Sequence, residues 1–240
     1  MSSLVLSYPR NTRGRDFVVG DIHGHFTRLD AAMRQVEFNP AVDRLFSVGD
    51  LIDRGPESER VLEYLNQPWF HAVRGNHEDM AIRYPEGNMN KGHFVKSGGA
   101  WMVSSPREFQ LEVSDALSAL PIAITIETDV GDIGIVHADC PTESWGEFTS
   151  TLAHSSPMDR ESHLLMQRAL WSRERIDSGD CTTVQGVAAI IVGHTPLEQI
   201  SRLANVYYID TGACFEHMNK LTLVQLAPTA STILREAAVA

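Results

Sequence analysis

Three short motifs, each placed directly after an apolar run, carry the residues of this chain that are best suited to catalysis. Short runs rich in β-branched residues predict buried strands of a parallel sheet. Ligands of open α/β sheets bind at the carboxyl ends of such strands, which is where the motifs stand. We therefore expect one active site built from three strand ends. Residues 17–19 precede Asp21 and His23, residues 45–48 precede Asp50, Asp53 and Arg54, and residues 71–73 precede Arg74, Asn76 and His77.

The carboxylate, imidazole and amide groups of these loops predict a metal centre. Asp21 and His23 are two positions apart, so both can reach one cation, and Asp50 can bridge two cations with its two oxygens. Nitrogen and oxygen ligands without thiolate suit Mn, Fe or Zn. Six ligands with one shared carboxylate suit two metal ions roughly 3.5–4 Å apart. The predicted ligands are Asp21, His23, Asp50, Asn76, His137 and His194, of which the last two again follow apolar strands.

A metal pair would prepare this site for a phosphate group. Two divalent cations bring more positive charge than Asp21, Asp50 and a bridging hydroxide remove, so a phosphate dianion is attracted even though the net charge is −11. Metal binding can lower the pKa of water to about 7, which makes that hydroxide available as a nucleophile at neutral pH.

Two arginines and a His–Asp pair complete the predicted site. Arg54 and Arg74 follow the second and third strands, and the planar guanidinium binds two phosphate oxygens at once. His77 is next to Asn76, and a free imidazole there can protonate a leaving alkoxide, which is typically worth about 10²–10⁴ in rate. Asp53 is suited to bind the other nitrogen of His77 and so to fix its tautomer.

Composition limits the class of protein. The chain has 240 residues, 43% of them hydrophobic and 21% charged, as in an ordinary globular protein. The net charge of −11 argues against nucleic-acid and anionic-membrane partners, because the long-range field repels both. Three cysteines without a CxxC spacing indicate a reducing compartment, and no apolar run approaches membrane-spanning length. We expect a cytoplasmic protein.

The order of predicted elements is β-α-β-α-β, followed by helices, further strands and a tail after Ala227 with little pattern. This order predicts parallel strands with right-handed crossovers. Thr27 and Ser105 each begin a capping-box pattern that predicts a helix start. Residues 141–180 are predicted to be helical, with the longest helix starting near Pro157 and carrying Trp171. We expect a loosely held lead-in over residues 1–15 and one domain over residues 16–240.

The complete motifs GD-x-HG, GD-x-x-DRG and GNHE resemble the phosphoprotein phosphatase family of metallophosphoesterases. The likeness is to its bacteriophage and bacterial branch, and it extends over roughly residues 17–226. Three spaced motifs together are highly specific. Further features of the resemblance are His-Ala-Asp at 137–139, Trp-x-Arg-Glu-Arg at 171–175, Gly-His-Thr-Pro at 193–196 and Tyr-Ile-Asp-Thr-Gly at 208–212.

The resemblance implies an α/β calcineurin-like metallophosphoesterase fold, with a central β-sandwich flanked by helices on both sides. It implies phosphate binding by Arg54, Arg74 and Arg173, and His77 with Asp53 as the acid pair. Mn²⁺ is the metal that the resemblance implies, and serine/threonine phosphoproteins, sometimes with phosphotyrosine, are the implied substrates. It also implies one metal ion on Asp21, His23 and Asp50, and a second on Asp50, Asn76, His137 and His194.

Two other functions compete with protein phosphatase activity. A symmetrical dinucleoside tetraphosphate hydrolase shares the scaffold, but that family usually lacks the Asp of the DRG motif and ends its third motif in Asp. Here Asp53 and Glu78 favour the protein phosphatase. A catalytically silent phosphate-binding scaffold usually loses a ligand or the acid, and this chain retains the full set.

Several residues whose side chains could take part in binding or catalysis are not assigned a role by the motifs. Asp210 is predicted either to support His194 or to belong to a turn. Trp69, Trp101 and Trp145 are predicted to anchor the core or loops. The histidines predicted to lie on the surface, or to be hydrogen-bonded inside the fold, are His25, His71, His93, His154, His163 and His217.

Overall fold

Two β-sheets stacked face to face form the centre of the structure, a computed structural model that describes residues 3–155, 159–226 and 233–240. One sheet has five strands and the other has six. The described strands are β1 (Val5–Tyr8), β2 (Asp16–Val19), β3 (Arg44–Ser47), β4 (Phe70–Ala72), β5 (Ala123–Ile126), β6 (Ile133–Val136), β7 (Ala189–Val192), β8 (Ser201–Leu203), β9 (Val206–Tyr208), β10 (Thr222–Leu226) and β11 (Leu234–Val239).

Helices cover the outer faces of both sheets. Within the described part of the chain, no helix is long and apolar enough to cross a membrane. A 3₁₀ turn, Ser58–Arg60, precedes the second helix, and a π-helical stretch, Val95–Gly99, joins the fourth to the fifth. The helices are α1 (Phe26–Gln35), α2 (Val61–Leu65), α3 (Asn76–Arg83), α4 (Lys91–Phe94), α5 (Ala100–Val103), α6 (Arg107–Ser118), α7 (Trp145–Ala153), α8 (Arg160–Trp171) and α9 (Glu174–Ser178).

The five-stranded sheet has the order β11-β10-β2-β3-β4 and contains the three motif strands side by side. β2 pairs with β3, and β3 with β4, in parallel, which confirms the predicted β-α-β-α-β unit. β10 and β11 extend this sheet as antiparallel strands. The carboxyl ends of β2, β3 and β4 therefore open on the same edge of the sheet.

The six-stranded sheet has the order β1-β5-β6-β7-β9-β8. β6 and β7 are parallel neighbours, and all eight of their residues are buried. Their carboxyl ends deliver the residues that follow, His137 and His194, to one place.

Alternation along the buried strands builds the core on both sides of each sheet. In β2, Phe17 and Val19 face the helices, while Val18 faces the second sheet and packs with Phe46 and Ile124. This period of two is a property of any strand, and it lets one short segment serve two cores. The central sandwich with helices on both outer faces confirms the predicted fold class.

The first strand corrects the expected lead-in. Residues 1–15 were expected to be loosely held, but Val5–Tyr8 pairs in parallel with β5 as the edge of the six-stranded sheet. The Tyr8 ring packs against Phe46 at 5.3 Å between centroids, and its hydroxyl is 3.2 Å from His71 Nδ1. These contacts to the other sheet hold β1 in place. The division into one domain over residues 16–240 stays a prediction.

Two predicted helix starts are wrong. α1 begins at Phe26 because Glu57, from a distant loop, binds both the backbone N–H and the hydroxyl of Thr27. α6 begins at Arg107, directly after Pro106, and the Ser105 hydroxyl donates to the carbonyl of Trp101 instead of capping the helix.

The remaining differences lie in the last part of the chain. β8 and the largely exposed β11 were not predicted, since neither shows a clear apolar alternation. Pro157, the expected start of the longest helix in 141–180, lies outside the described residues, as does the beginning of the tail at 227–232. The described helix α8 starts at Arg160.

Candidate metal centre and catalytic cleft

Loops after five strands meet at one point, which we call the cleft floor: residues 21–24, 50–55, 74–77, 137 and 193–194. Backbone hydrogen bonds join the loops, since the Asp50 carbonyl accepts from the N–H groups of Ile22 and His23. The Gly193 N–H donates to the carbonyl of His137 at 2.8 Å. The two sheets therefore contribute to a single floor.

Asp50 lies at the centre of the floor. Its carboxylate belongs to two groups of side chains whose potential ligand atoms lie within 4.8 Å of one another, one with His23 and His77 and one with His137 and His194. Oδ2 is 3.6 Å from His23 Nε2, and Oδ1 is 3.4 Å from His137 Nε2. One oxygen thus faces each group, as a bridging carboxylate must.

Backbone carbonyls fix the tautomers of three floor histidines. His23 Nδ1 donates to the carbonyl of Ile52 at 3.0 Å, and His137 Nδ1 donates to that of Val48 at 2.8 Å. His194 Nε2 donates to the carbonyl of Trp171 at 3.2 Å. The opposite ring nitrogens consequently carry lone pairs toward the floor, which is the arrangement found in metal-ligating histidines.

A cation fits between the acceptors of the second group. His137 Nε2 and His194 Nδ1, both with lone pairs, lie 2.9 and 3.0 Å from Asn76 Oδ1. Three acceptors that face one another without a proton to share repel, and a bound metal ion converts that repulsion into coordination. The donor set therefore fits a divalent metal on Asp50, Asn76, His137 and His194.

The other predicted ligands differ in their surroundings. Arg54 Nη1 donates to the free nitrogen of His23 at 2.9 Å. Asp21 lies outside both groups, and its carboxylate accepts the backbone N–H of His194 at 3.1 Å. Asp210 accepts from the N–H of Gly212 at 2.9 Å, as a turn residue does, and its charge helps to raise the pKa of Asp21.

Burial and charge set the ionisation of the floor. Burial lowers the pKa of His23 and His137, and it lowers the pKa of His194 to about 3. Burial alone would raise the pKa of Asp50, but the charge that the surrounding histidines carry when protonated, His137 first, outweighs it and lowers the pKa. Burial, followed by the charges of Asp210 and Asp50, raises the pKa of Asp21. Neutral imidazoles around buried carboxylates are the chemistry of a cation site.

The floor has an unusual backbone. Non-glycine residues rarely adopt positive φ, and each such residue stores of order 1–3 kcal/mol. The floor residues with positive φ are His23 (44°), Asp50 (49°), Asp53 (71°), Arg54 (68°) and His194 (65°). The other non-glycine residues with positive φ in the described part of the chain are Glu37, Ala204 and Asn219.

Two glycines allow the carboxylates to approach the backbone. A Cβ on Gly75 would lie 2.2 Å from Asp50 Oδ1, and a Cβ on Gly193 would lie 2.0 Å from Asp21 Oδ1. Any side chain at either position would therefore displace a predicted metal ligand.

The predicted acid pair is formed, and a third residue joins it. His77 Nδ1 lies 2.8 Å from Asp53 Oδ2, and Trp101 Nε1 donates to Asp53 Oδ1 at 2.7 Å. Burial disfavours a charge on His77, but the Asp50 carboxylate and the bond to Asp53 outweigh it and raise the pKa. Burial raises the pKa of Asp53. Trp101, predicted only as an anchor, thus orients the carboxylate.

Glu78 holds two loops of the floor together through backbone hydrogen bonds, a role that was not predicted from the sequence. Its two oxygens accept the backbone N–H groups of Asp50, Leu51 and Gly75, each at 2.8 Å. Burial, with the charge of Asp50 next, raises the pKa of Glu78 to about 7. The capping-box position three residues after Gly75 was the available sequence signal.

The three predicted phosphate-binding arginines do not all converge. Arg54 and Arg173 line the cleft, and Arg173 Nη2 donates to the carbonyl of His194 at 3.2 Å. The guanidinium of Arg74 instead binds the carbonyls of Ser118 and Leu120 at 2.9 and 3.3 Å. These groups end α6, where unpaired carbonyls attract a cation. The structure therefore does not bring Arg74 to the cleft.

Above the floor, a cleft of about 230 Å³ is enclosed by the cleft wall, residues 91–103 and 171–173. His93 and Ser97 line it from one side. Trp171, on the other side, is 41% exposed, and its ring centroid lies 6.3 Å from that of His194. His93 was predicted as a surface or satisfied histidine; it is exposed, but it faces the cleft.

A larger cavity of about 340 Å³ lies elsewhere, beside the ion pair between Arg175 and Asp139. Its lining includes Cys140 and Thr182 but no residue of the floor. The chemistry, and not the cavity size, therefore identifies the site.

The sequence profile of the calcineurin-like phosphoesterases matches residues 17–224, so this chain belongs to that family. The resemblance noted from the motifs is thus confirmed.

Individual relatives agree with this assignment. The chain is 40% identical to serine/threonine-protein phosphatase 2 of Escherichia coli (strain K12), over 82% of this chain and 87% of the relative. It is 36% identical to serine/threonine-protein phosphatase 1 of Salmonella typhimurium, over 88% and 91%. Similarity to a symmetrical bis(5'-nucleosyl)-tetraphosphatase of Actinobacillus pleuropneumoniae, 42% identical, covers 26% of this chain and 24% of that protein.

A solved structure described as a putative diadenosine tetraphosphatase superposes with a TM-score of 0.66. It covers 97% of this chain and 96% of its own at 22% identity, which shows the shared fold.

Proposed function

We propose that the protein is a metal-dependent phosphoprotein phosphatase that hydrolyses phosphoserine and phosphothreonine monoesters, with phosphotyrosine as a further substrate. The observation that carries this proposal is the cluster of facing acceptors around Asp50, next to the His77–Asp53 pair. The relatives named serine/threonine-protein phosphatases, which match most of the chain, support the choice of substrate.

Two divalent metal ions are the proposed cofactors, with Mn²⁺ preferred and Fe or Zn as alternatives. They would supply positive charge for the phosphate and an activated water as nucleophile. One ion would be held by Asp21, His23 and Asp50, for which Arg54 must leave its contact with His23. The other would be held by Asp50, Asn76, His137 and His194.

The chain's own residues orient the phosphate and protonate the leaving group. Arg54 and Arg173 are placed to bind phosphoryl oxygens in the cleft. Asp53 holds His77 Nδ1, so His77 Nε2 is the atom that carries a proton to the leaving alkoxide. Arg74 can take its predicted part only if its guanidinium leaves the Ser118 and Leu120 carbonyls.

The partner proposed is a phosphoprotein or phosphopeptide, and not nucleic acid or a membrane, in keeping with the net charge of −11. The sparse cysteines, which are unpaired in the described structure, favour a reducing compartment, and we propose the cytoplasm.

The test is Mn²⁺-dependent phosphate release from a phosphoserine peptide, measured beside diadenosine tetraphosphate and a chelator control. We expect peptide turnover that chelation abolishes. Turnover of the dinucleotide alone would assign the site to the tetraphosphatase that the partial 64-residue match represents. Binding of the phosphopeptide without hydrolysis by metal-loaded protein would indicate a scaffold.

A further inference from the structure

Positive charge is concentrated in one segment that contributes to the wall of the catalytic cleft. We define the basic strip as Lys91, His93 and Lys96, all of which are exposed. His93 lines the cleft, together with Ser97 one helical turn later. Lys91 and Lys96 are not lining residues, but they lie two and three residues from His93, so the strip lies next to the part of the cleft border that His93 forms.

The strip has the opposite sign to the rest of the protein. The net charge is −11, yet no Asp or Glu occurs between Glu86 and Glu108. Lys91 and Lys96 are two of the three lysines in the chain, the third being Lys220. An acidic peptide would be repelled by the protein as a whole and attracted at this one border of the cleft.

The charges of the strip are not neutralised within the described structure. None of the ion pairs between described residues includes Lys91 or Lys96. Arg60 shows the contrast, since it contacts Asp30, Glu57 and Glu63. The two ammonium groups are therefore available to a carboxylate from another molecule.

The strip presents its charges on more than one side of the helical segment. Lys91 is on α4 and Lys96 is on the π-helical stretch that follows, and at 3.6 residues per turn a five-residue spacing turns the second side chain about 140° from the first. A peptide that crosses this segment therefore passes both lysines. Lysine is also a compact charge on a flexible stem, which tolerates carboxylates at somewhat different positions.

We propose that the preferred substrates carry Asp or Glu within a few residues of the phosphorylated residue, and that the basic strip binds these carboxylates. This inference rests on the proposed function, because it specifies which phosphoproteins the site accepts. The cleft volume of about 230 Å³ leaves room for the phosphorylated side chain, so the flanking residues must lie on its borders.

The experiment compares two phosphoserine peptides that are identical except that flanking Glu residues are replaced by Gln in the second. The full-length enzyme is tested beside Lys91→Glu/Lys96→Glu and a matched control, Arg202→Glu/Arg235→Glu. The control changes the net charge equally, at exposed positions on β8 and β11 outside the cleft lining. Turnover of p-nitrophenyl phosphate normalises each preparation.

We expect the wild-type enzyme to favour the Glu peptide by about five-fold in kcat/KM at low salt, mainly through KM, as two exposed ion pairs would allow. The preference should vanish in Lys91→Glu/Lys96→Glu, persist in the control and weaken with added salt. Equal kcat/KM for both peptides in the wild type, or a preference that survives the strip substitutions, would overturn the inference.

Failure of the proposed function gives a different result. Turnover of p-nitrophenyl phosphate with neither peptide hydrolysed would reject the phosphoprotein substrate, and the inference would fall with it. If the strip substitutions then reduced turnover of diadenosine tetraphosphate, the strip would bind a polyphosphate instead.

Discussion

The cleft floor and the cleft wall are built on different principles. Most floor residues are buried, with Asp50 2% and His137 0% exposed, and backbone groups from both sheets hold them. The wall contains residues that are open to solvent, among them His93 on the short helix α4 and Trp171 at the end of α8. The comparison indicates that the floor determines the reaction, while the wall determines which molecules reach it.

The largest effect is expected at the centre of the floor. Asp50→Asn removes the carboxylate shared by both groups of ligands, and we expect activity on every substrate to fall by at least about 10³-fold, since metal ions contribute several kcal/mol to transition-state stabilisation. Metal content measured by mass spectrometry should fall with it. Asp43→Asn is the matched control, a buried carboxylate bound to Arg15 outside the site. A variant of Asp50 that keeps both metal ions would contradict the bridging role.

His77→Asn should separate protonation from the rest of the floor. We expect kcat/KM for a phosphoserine peptide to fall by about 10²–10³, and that for p-nitrophenyl phosphate by less than about 10-fold, because nitrophenolate leaves without a proton. Steady-state kinetics on both substrates, with metal content as control, measure the difference. Equal losses would remove the general-acid role.

Trp101 joins the wall to the floor and is expected to give an intermediate effect. Trp101→Phe deletes the N–H that binds Asp53, and we expect about a 10-fold loss on phosphoserine peptide with little change on p-nitrophenyl phosphate, a change of about 1.4 kcal/mol in barrier. Trp145→Phe is the matched control, because its indole N–H binds Thr125 far from the cleft.

The same substitution in the His77→Asn background tests the route of the effect. If Trp101 acts through the acid pair, Trp101→Phe should add nothing there. A further 10-fold loss would show that Trp101 stabilises the wall independently of His77.

The smallest effect is expected outside both regions, at His71 between the two sheets. Burial, followed by the charge of Arg44, lowers the pKa of His71 from 6.5 to about 4. The unfolded chain therefore binds a proton near pH 6.5 that the folded protein accepts only near pH 4. Stability should fall as the pH falls through this range, with no contribution from His71 above it.

Thermal unfolding between pH 7 and 4 measures this dependence. His71→Gln should make Tm less sensitive to pH, whereas His154→Gln, at an exposed position, should not. An unchanged pH profile in His71→Gln would show that His71 titrates alike in both states.

The sequence predicted the floor because its information is local. Strand, glycine and ligand follow one another within a few residues, so Asp21, Asp50 and Asn76 could be placed without knowing the rest of the fold. The parallel unit of β2, β3 and β4 was predictable for the same reason.

Contacts that join distant parts of the chain were poorly predicted, both at the cleft wall and elsewhere. Trp101 reaches Asp53 across 48 residues, and Arg74 is drawn to carbonyls 44 residues away. The start of α1 depends on Glu57, 30 residues after Thr27. No periodicity or motif encodes such pairings, and β1 was missed because its partner β5 is still more distant in the sequence.

That pairing has a consequence for the order in which the protein forms. Val5–Tyr8 is synthesised more than a hundred residues before Ala123–Ile126, its neighbour in the six-stranded sheet. Contacts so far apart in sequence close slowly, because loop-closure entropy opposes them. The unit that carries Asp21, His23, Asp50 and Asn76 can assemble from local contacts, whereas His137 and His194 depend on the later sheet. We therefore expect a folding intermediate that has four of the six predicted metal ligands in place and a growing chain that binds metal only near the end of synthesis.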